Sequence, residues 1–149
     1  MTSLLLRAVR RSALVLMLLS SSAPAGAREL LRGPVPAEVM EVIDGDTVRV
    51  RAHIWLGQAV ETSVRLDGID TPELRGDCDG ERRLARAARD YLVGLVAGRR
   101  VSLRDITQDK YGGRVVARMD DHKGRDLGAA LISAGYARAY DGGTRGTWC

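Results

Sequence analysis

Three short segments of the chain hold residue types that can assist cleavage of a phosphodiester. Residues 42–48 read Val-Ile-Asp-Gly-Asp-Thr-Val, residues 65–73 read Arg-Leu-Asp-Gly-Ile-Asp-Thr-Pro-Glu, and residues 109–114 read Asp-Lys-Tyr-Gly-Gly-Arg. Carboxylates bind a hard cation, arginines hold phosphate oxygens, and a further carboxylate can take a proton from water. Together these groups supply what metal-assisted cleavage of a phosphodiester requires.

The order and spacing of these segments resemble the staphylococcal-type thermonuclease family, a group of Ca2+-dependent secreted nucleases. The resemblance runs from about Val42 to about Tyr140. Asp-Gly-Asp-Thr alone is a weak signal, because turns built from an acid and a glycine are common. Asp-Thr-Pro-Glu after an arginine-bearing strand, followed later by Tyr-Gly-Gly-Arg, is a strong signal in combination.

The resemblance implies a role for each acidic residue of the motifs. Asp46 and Asp70 would be direct ligands of Ca2+, and Thr71 would add its carbonyl oxygen. Asp44 matches a position near the ion but outside its direct ligands, and it could equally serve only to shape the turn. Glu73 matches the residue that activates water, either as a full general base or by positioning the molecule.

The basic residues of the motifs carry the other half of the expected chemistry. Arg65 and Arg114 match the two catalytic arginines of the family, which stabilise the negative charge that grows on the phosphoryl oxygens. An isolated arginine on a strand is more often a surface salt bridge, but both residues occupy motif positions. Lys110 and Tyr111 are weaker candidates for holding a terminal phosphate or stacking a base. The familiar family pattern is Tyr-Gly-Arg, so the extra glycine here affects the placement of Tyr111 most.

The first residues of the chain have the pattern of an export signal. A basic start, an apolar run over residues 13–19 and the small residues Ala25-Gly26-Ala27 predict a signal peptide over residues 1–27, cleaved after Ala27. A short membrane anchor is the less favoured alternative. The protein is therefore expected in the periplasm or the medium, without stable membrane association after cleavage. The whole chain has a formal charge of +4, and removal of the three leader arginines leaves +1, so attraction to phosphate must be local.

Two cysteines remain in the mature chain, Cys78 and Cys149. An even count in an exported protein suggests a disulfide, and this one would pin the tail, residues 141–149, beside the loop that follows Glu73. Two free thiols, or a link between two chains, are the competing interpretations. His53 and His122 stand alone among polar residues and are expected to be surface side chains.

The remaining pattern predicts a small mainly-β barrel with helices, of the α+β class. Residues 28–40 are expected to be a loose segment leading into the domain, because Pro34 and Pro36 disfavour a central strand. The elements that follow are strands at 41–52 (interrupted by a turn or bulge at 44–46) and 60–69, joined by a hairpin at 54–57, then a helix at 80–97, strands at 101–106 and 114–119, and a helix at 127–134. The helix at 80–97 is expected to be capped by Asp77 or Asp79 and to bury a face that includes Leu84. Periodicity alone leaves other α+β folds open. The resemblance implies a five-stranded OB-fold barrel capped by helices, over residues 41–140.

Taken together, these features predict a secreted or periplasmic, monomeric nuclease that hydrolyses DNA and RNA with Ca2+. The resemblance further implies products that end in 3′-phosphate. The alternative is a non-catalytic OB-fold module that binds single-stranded nucleic acid. That module needs a basic, aromatic groove, and the chain has no phenylalanine. A Ca2+-stabilised structural domain would explain the aspartates but neither Arg65 nor Arg114.

Overall fold

A computed structural model describes residues 29–149 of the chain. The predicted signal peptide and its cleavage site lie outside the described residues. The described part contains these elements in order: β1 (Leu30–Leu31), β2 (Val35–Val42), β3 (Thr47–Trp55), β4 (Gln58–Leu66), β5 (Ile69–Asp70), α1 (Asp79–Leu95), β6 (Arg100–Gln108), β7 (Arg114–Asp121), α2 (Leu127–Ser133) and β8 (Arg138–Ala139). Neither helix of residues 29–149 is both long enough and apolar enough to cross a bilayer.

Five long strands close into a barrel. β2 pairs antiparallel with both β3 and β6, β3 pairs antiparallel with β4, β4 pairs parallel with β7, and β7 pairs antiparallel with β6. β6 shifts register between Arg104 and Thr107, and such an irregularity bends a strand and helps a sheet to curl. The five-stranded mixed barrel with two helices confirms the predicted α+β fold of the OB type.

Apolar side chains that alternate with polar ones along the strands fill the interior of the barrel. On β3, Val48 and Val50 are buried while Arg49 and Arg51 are exposed, as the period of two predicts. The other large buried side chains of the interior come from β4, β6, β7 and the two helices: Val64, Leu66, Leu92, Leu103, Met119, Leu127 and Leu131. The residues that face away from this core on β3 and β4 are therefore free to form a surface.

The expectation of a loose segment at residues 28–40 is wrong, because β1 and most of β2 lie there. β2 is a central strand between β3 and β6. Proline is tolerated because Pro36 lies opposite Ser102 of β6, whereas the pairing with β3 begins only at Ala37. The absent N–H of Pro36 thus falls where the strand has one neighbour.

The predicted strand at residues 41–52 is two strands joined by a turn. β2 ends at Val42, the chain reverses through residues 43–46, and Val42 pairs with Val48 on β3. The turn at Asp44-Gly45-Asp46 was expected, but it reverses the chain instead of interrupting one strand. The hairpin at residues 54–57 is confirmed, since Trp55 pairs with Gln58.

Helix α1 confirms the helix predicted at 80–97, although its start and its buried face differ from expectation. The N-cap is Cys78, whose sulfur accepts the backbone N–H of Glu81 at 3.4 Å, and not Asp77 or Asp79. Leu84, expected on the buried face, is 41% exposed, while Glu81 is only 8% exposed. A carboxylate near the first turn suits the helix dipole, and Glu81 has backbone partners described below.

The C-terminal residues return to the start of α1. β8 pairs antiparallel with β5, placing Arg138 opposite Asp70. The chain then runs to Cys149, which forms a disulfide with Cys78 at a Cα–Cα distance of 6.0 Å. The predicted disulfide is confirmed, and the tail is fastened at both ends beside residues 70–78.

Candidate active site

The turn between β2 and β3 holds Asp46 against the segment that carries Asp70. The Oδ1 atom of Asp44 accepts the backbone N–H of Asp46 at 3.1 Å, which tightens the turn. A Cβ atom at Gly45 would lie 3.0 Å from the Cβ of Ala88 and 3.1 Å from the side chain of Thr71. A side chain at this position would crowd Ala88 and Thr71, so glycine helps the turn pack closely against Thr71 and α1.

Asp46 is a buried carboxylate with an arginine partner. Its Oδ2 lies 3.1 Å from Nη2 of Arg65, and its Oδ1 accepts the hydroxyl of Thr47 at 2.8 Å. Burial raises the pKa of Asp46 to about 7, and the neighbouring charge of Asp44 raises it too, whereas Arg65 acts in the opposite direction. A second positive charge at this carboxylate would therefore favour its ionised form.

Asp70 has two partners from the tail. The indole Nε1 of Trp148 donates a hydrogen bond to Oδ2 of Asp70 at 3.0 Å. Nε of Arg145 lies 3.2 Å from Oδ1 of Asp70, which is an ion-pair distance. That contact does not meet the geometry of a hydrogen bond. Among the buried side-chain nitrogen and oxygen atoms of residues 29–149, Oδ1 of Asp70 is the one without a hydrogen-bond partner. This buried oxygen therefore lies close to a charged partner without receiving a hydrogen bond.

Glu73 is positioned through its backbone by α1. Its N–H donates to Oε1 of Glu81 at 3.2 Å, and the N–H of Asp77 donates to Oε2 of Glu81 at 3.1 Å. One buried carboxylate thus holds both ends of the loop that carries Glu73. The Glu73 side chain itself is exposed, and its Oε1 accepts a hydrogen bond from Nη1 of Arg145.

The second arginine of the motifs lies at the start of β7 beside an acidic partner. Nε of Arg114 donates to Oδ2 of Asp109. Burial alone would raise the pKa of Asp109, but the hydrogen bond from Arg114 and the backbone N–H of Tyr111 lower it below its ordinary value. Two cations lie over the ring of Tyr111: Nζ of Lys110 is 5.0 Å and Cζ of Arg114 is 5.4 Å from the ring centre. The guanidinium of Arg114 therefore has an acidic partner in Asp109 and an aromatic partner in Tyr111.

Two adjoining pockets gather these side chains. An acidic pocket of about 290 Å³ is lined by Asp70, Thr71, Glu73, Asp77, Glu81 and tail residues 145–148. A larger open pocket of about 850 Å³ is lined by residues of β4, the β6–β7 turn and the tail, including Arg65, Lys110, Tyr111, Arg114 and Tyr140. Arg145 lines both pockets. We refer to them as the acidic pocket and the basic pocket.

The structure therefore groups the predicted residues in two sets. Glu73 shares the acidic pocket with the expected ligands Asp70 and Thr71, while both expected catalytic arginines share the basic pocket with Lys110 and Tyr111. Asp46 links the two sets through its ion pair with Arg65, and the side chain of Asp44 interacts with Asp46 within the same turn. The roles assigned to these residues stay predictions.

Three further residues were not expected from the sequence. Glu81 holds the loop of Glu73, and Arg145 and Trp148 contact Asp70. A signal for the last two existed, because a disulfide at Cys149 must bring its neighbours to the loop after Glu73. No local signal marks Glu81, which sits in an ordinary amphipathic helix.

The residues present fit a hard cation at Asp70. Ca2+ takes carboxylate and carbonyl oxygens, and the buried Oδ1 of Asp70 is an oxygen without a hydrogen bond. Within residues 29–149, no three side chains of His, Cys, Asp or Glu form a ready-made metal cluster. Arg65 and Arg145 pair with Asp46 and Asp70 instead.

Comparisons with known proteins identify the family of the chain. A sequence model of the staphylococcal nuclease homologue family matches residues 63–146, more than half of the chain. Protein ParB of Escherichia coli is 36% identical over 140 residues, which span 89% of this chain and 70% of that protein. The chain belongs to the staphylococcal nuclease homologue family. It is accordingly a phosphodiester hydrolase, with a nucleic acid as its class of substrate.

Two further proteins that are similar to this chain carry the name endonuclease. One from Escherichia coli, named "Uncharacterized endonuclease", is 28% identical over 112 residues, which span 75% of this chain and 65% of that protein. Another, named "Probable endonuclease LCL3", from Phaeosphaeria nodorum, is 29% identical over 115 residues, spanning 68% of this chain and 38% of that protein. The matched region of the family covers Arg65, Asp70, Glu73 and Arg114.

Proposed function

We propose that the protein is an exported, monomeric endonuclease that uses Ca2+ to hydrolyse DNA and RNA and leaves 3′-phosphate ends. The observation that carries this proposal is the adjacency of the acidic and basic pockets. Arg65 and Arg114 line one, Asp70 and Glu73 line the other, and Arg145 borders both. A phosphodiester lying across that border would meet guanidinium groups on one side and carboxylates on the other.

The chain's own residues divide the work of hydrolysis. Arg65 and Arg114 bind the non-bridging oxygens of the phosphate and stabilise the charge that grows there as water adds to phosphorus. Glu73, on the exposed loop held by Glu81, orients the water and accepts its proton. The bond from phosphorus to the leaving oxygen breaks, and that oxygen takes a proton from solvent. Tyr111 and Lys110 hold the neighbouring nucleotide by stacking and charge.

A hard cation would be held by Asp46, Asp70 and the carbonyl oxygen of Thr71. When bound, Ca2+ supplies positive charge that neutralises the carboxylates and polarises the phosphate. Support comes from the carboxylate of Asp46, whose pKa is raised by burial, and from Oδ1 of Asp70, which receives no hydrogen bond. A bound cation would stabilise the negative charge of both carboxylates.

The proposed export rests on the leader and on the disulfide. Residues 7–27 have the order of a cleavable signal. Disulfides persist in oxidising compartments such as the periplasm and the medium, and Cys78 and Cys149 form one. Detection of the processed chain, beginning after Ala27, in the periplasm or medium would support export, and an intact cytosolic chain would contradict it.

The test of activity is a digestion of supercoiled plasmid and of a folded RNA by the purified protein with its disulfide intact. We expect cleavage of both substrates with Ca2+ and loss of cleavage when a chelator is added. Arg65→Ala and Arg114→Ala should each lower turnover by about 100- to 1,000-fold, the usual loss for one transition-state donor. Glu73→Gln should act likewise while Ca2+ still binds.

The control is Lys123→Ala, which removes an exposed cation that lines neither pocket and should leave turnover unchanged. Unfolding curves of every variant check that the fold is intact. Undiminished cleavage in excess chelator would contradict the metal role. Variants that lose only affinity for the substrate, with turnover unchanged, would contradict the catalytic roles of the arginines.

A further inference from the structure

Arg145 occupies the boundary between the acidic and basic pockets. Its Nε lies 3.2 Å from Oδ1 of Asp70, and its Nη1 donates to Oε1 of Glu73. Partial burial would lower the pKa of Arg145, but the hydrogen bond with Glu73 and the charges of Asp70 and Asp46 raise it. One guanidinium thus stands in the field of three carboxylates that the proposed function assigns to cation binding and water activation.

This contact differs from an ordinary surface ion pair. The Asp70 side chain is 7% exposed, so its charge is poorly screened by solvent. Its Oδ1 nevertheless receives no hydrogen bond. Arg145 thus faces Oδ1, the oxygen that a hard cation would take, at ion-pair distance but without donating a hydrogen bond to it.

The tail holds Arg145 in place through contacts on either side. The guanidinium of Arg138 stacks 3.7 Å from the ring centre of Trp148 and donates to the carbonyl of Thr147 at 2.8 Å. The hydroxyl of Tyr140 donates to the carbonyl of Gly143 at 2.7 Å. With β8 at one end and the disulfide of Cys149 at the other, the tail forms a strap across the acidic pocket.

We infer that Arg145 is an internal counter-cation of the acidic pocket, which Ca2+ must displace from Asp70 before the enzyme can act, and that the strap sets the affinity for the ion. This inference rests on the proposed function. A guanidinium and a divalent cation cannot share Oδ1 of Asp70, because like charges at that distance repel strongly. Removing Arg145 leaves the metal-free carboxylates unneutralised and therefore favours the cation-bound state.

The test is calorimetric titration of Ca2+ into the metal-free, disulfide-bonded protein and its variants. We expect Arg145→Ala and Arg145→Gln to bind Ca2+ about threefold to tenfold more tightly than the unmodified protein, the range set by one or two partly exposed ion pairs. The control is Arg51→Ala, which removes an exposed arginine paired with Glu61 at 2.8 Å; its affinity should be unchanged.

Thermal unfolding gives a second readout that does not depend on activity. In chelator, Arg145→Ala should melt below the unmodified protein, and the same excess of Ca2+ should raise its midpoint by more, because the stabilisation by a ligand grows with the logarithm of its affinity. Cys149→Ser, which releases the end of the strap, should shift Ca2+ affinity in the same direction.

The outcomes separate this inference from the proposed function. Ca2+-dependent cleavage together with equal or weaker Ca2+ binding by both Arg145 variants would overturn the inference alone. No Ca2+ binding and no cleavage by any form would overturn the proposed function and the inference with it. Tighter binding in the Arg145 variants but not in Arg51→Ala would establish the displacement.

Discussion

The contact between Glu81 and the loop of Glu73 predicts that a residue outside the chemistry controls turnover. Glu81→Gln keeps the size of the side chain and one carbonyl oxygen, but places an NH2 group against one of two backbone N–H donors. Those donors belong to Glu73 and Asp77, at 3.2 Å and 3.1 Å from the carboxylate. The loop should therefore lose one of the two hydrogen bonds that hold its ends.

The size of the effect follows from burial. Leaving one buried N–H without an acceptor costs about 1 to 3 kcal/mol. For a domain of this size, each kcal/mol lowers the melting temperature by roughly 4 °C, so we expect a fall of about 4 to 12 °C. A displacement of about 1 Å at a catalytic group can lower the rate by about 100-fold. Turnover should accordingly fall between about 10-fold and 100-fold, with KM nearly unchanged.

A second variant perturbs the same contact from the loop side. A Cβ at Gly76 would lie 2.2 Å from Cδ and 2.3 Å from Oε2 of Glu81, so Gly76→Ala must push the carboxylate away while keeping its charge. It should reproduce the loss of turnover. Asp90→Asn, at an exposed position of α1, is the control for removing one acidic charge from this helix.

The assay is steady-state plasmid or oligonucleotide hydrolysis at a temperature well below the melting point of each variant, together with thermal unfolding of the same samples. Lower melting temperature with unchanged turnover in both Glu81→Gln and Gly76→Ala would refute the positioning role. It would mean that the two hydrogen bonds stabilise the fold without determining where Glu73 lies.

Three further predictions follow from single contacts. Asp109→Asn frees Arg114 from its partner and should lower turnover about 10-fold, the equivalent of one charge-assisted hydrogen bond, in the hydrolysis assay. Cys149→Ser opens a disulfide that spans 71 positions and should lower the free energy of unfolding by about 4 kcal/mol, measured in urea. The backbone N–H of Arg125 holds the pKa of Asp121 below its ordinary value. This contribution is full above the unfolded pKa near 4 and is lost as pH falls through the folded pKa. In Asp121→Asn, the free energy of unfolding should therefore fall less steeply as the pH is lowered than it does in the unmodified protein.

Local pattern was enough to predict the elements that repeat over several residues. The alternation of valine and arginine on β3 and the spacing of α1 are visible in the sequence because one face of each meets the core. The motif acids and arginines were also predicted, since their types and order carry the chemistry. β2 could not be predicted in the same way, because Pro36 is acceptable only where the strand has one neighbour.

The sequence by itself determined the chemistry available to this protein, the helices and most strands, and it suggested that the two cysteines pair. The tertiary structure decided which charges meet. In the closed barrel, Asp46 contacts Arg65. Glu81 on α1 contacts the loop of Glu73, and Arg145 on the disulfide-linked tail contacts Asp70. The contacts of Asp46 with Arg65 and of Asp70 with Arg145 join residues distant in the chain, and the contact of Glu81 joins a helix to a loop. The energies of all three depend on burial and distance. Neither burial nor distance exists before the chain folds, so no local pattern encodes them.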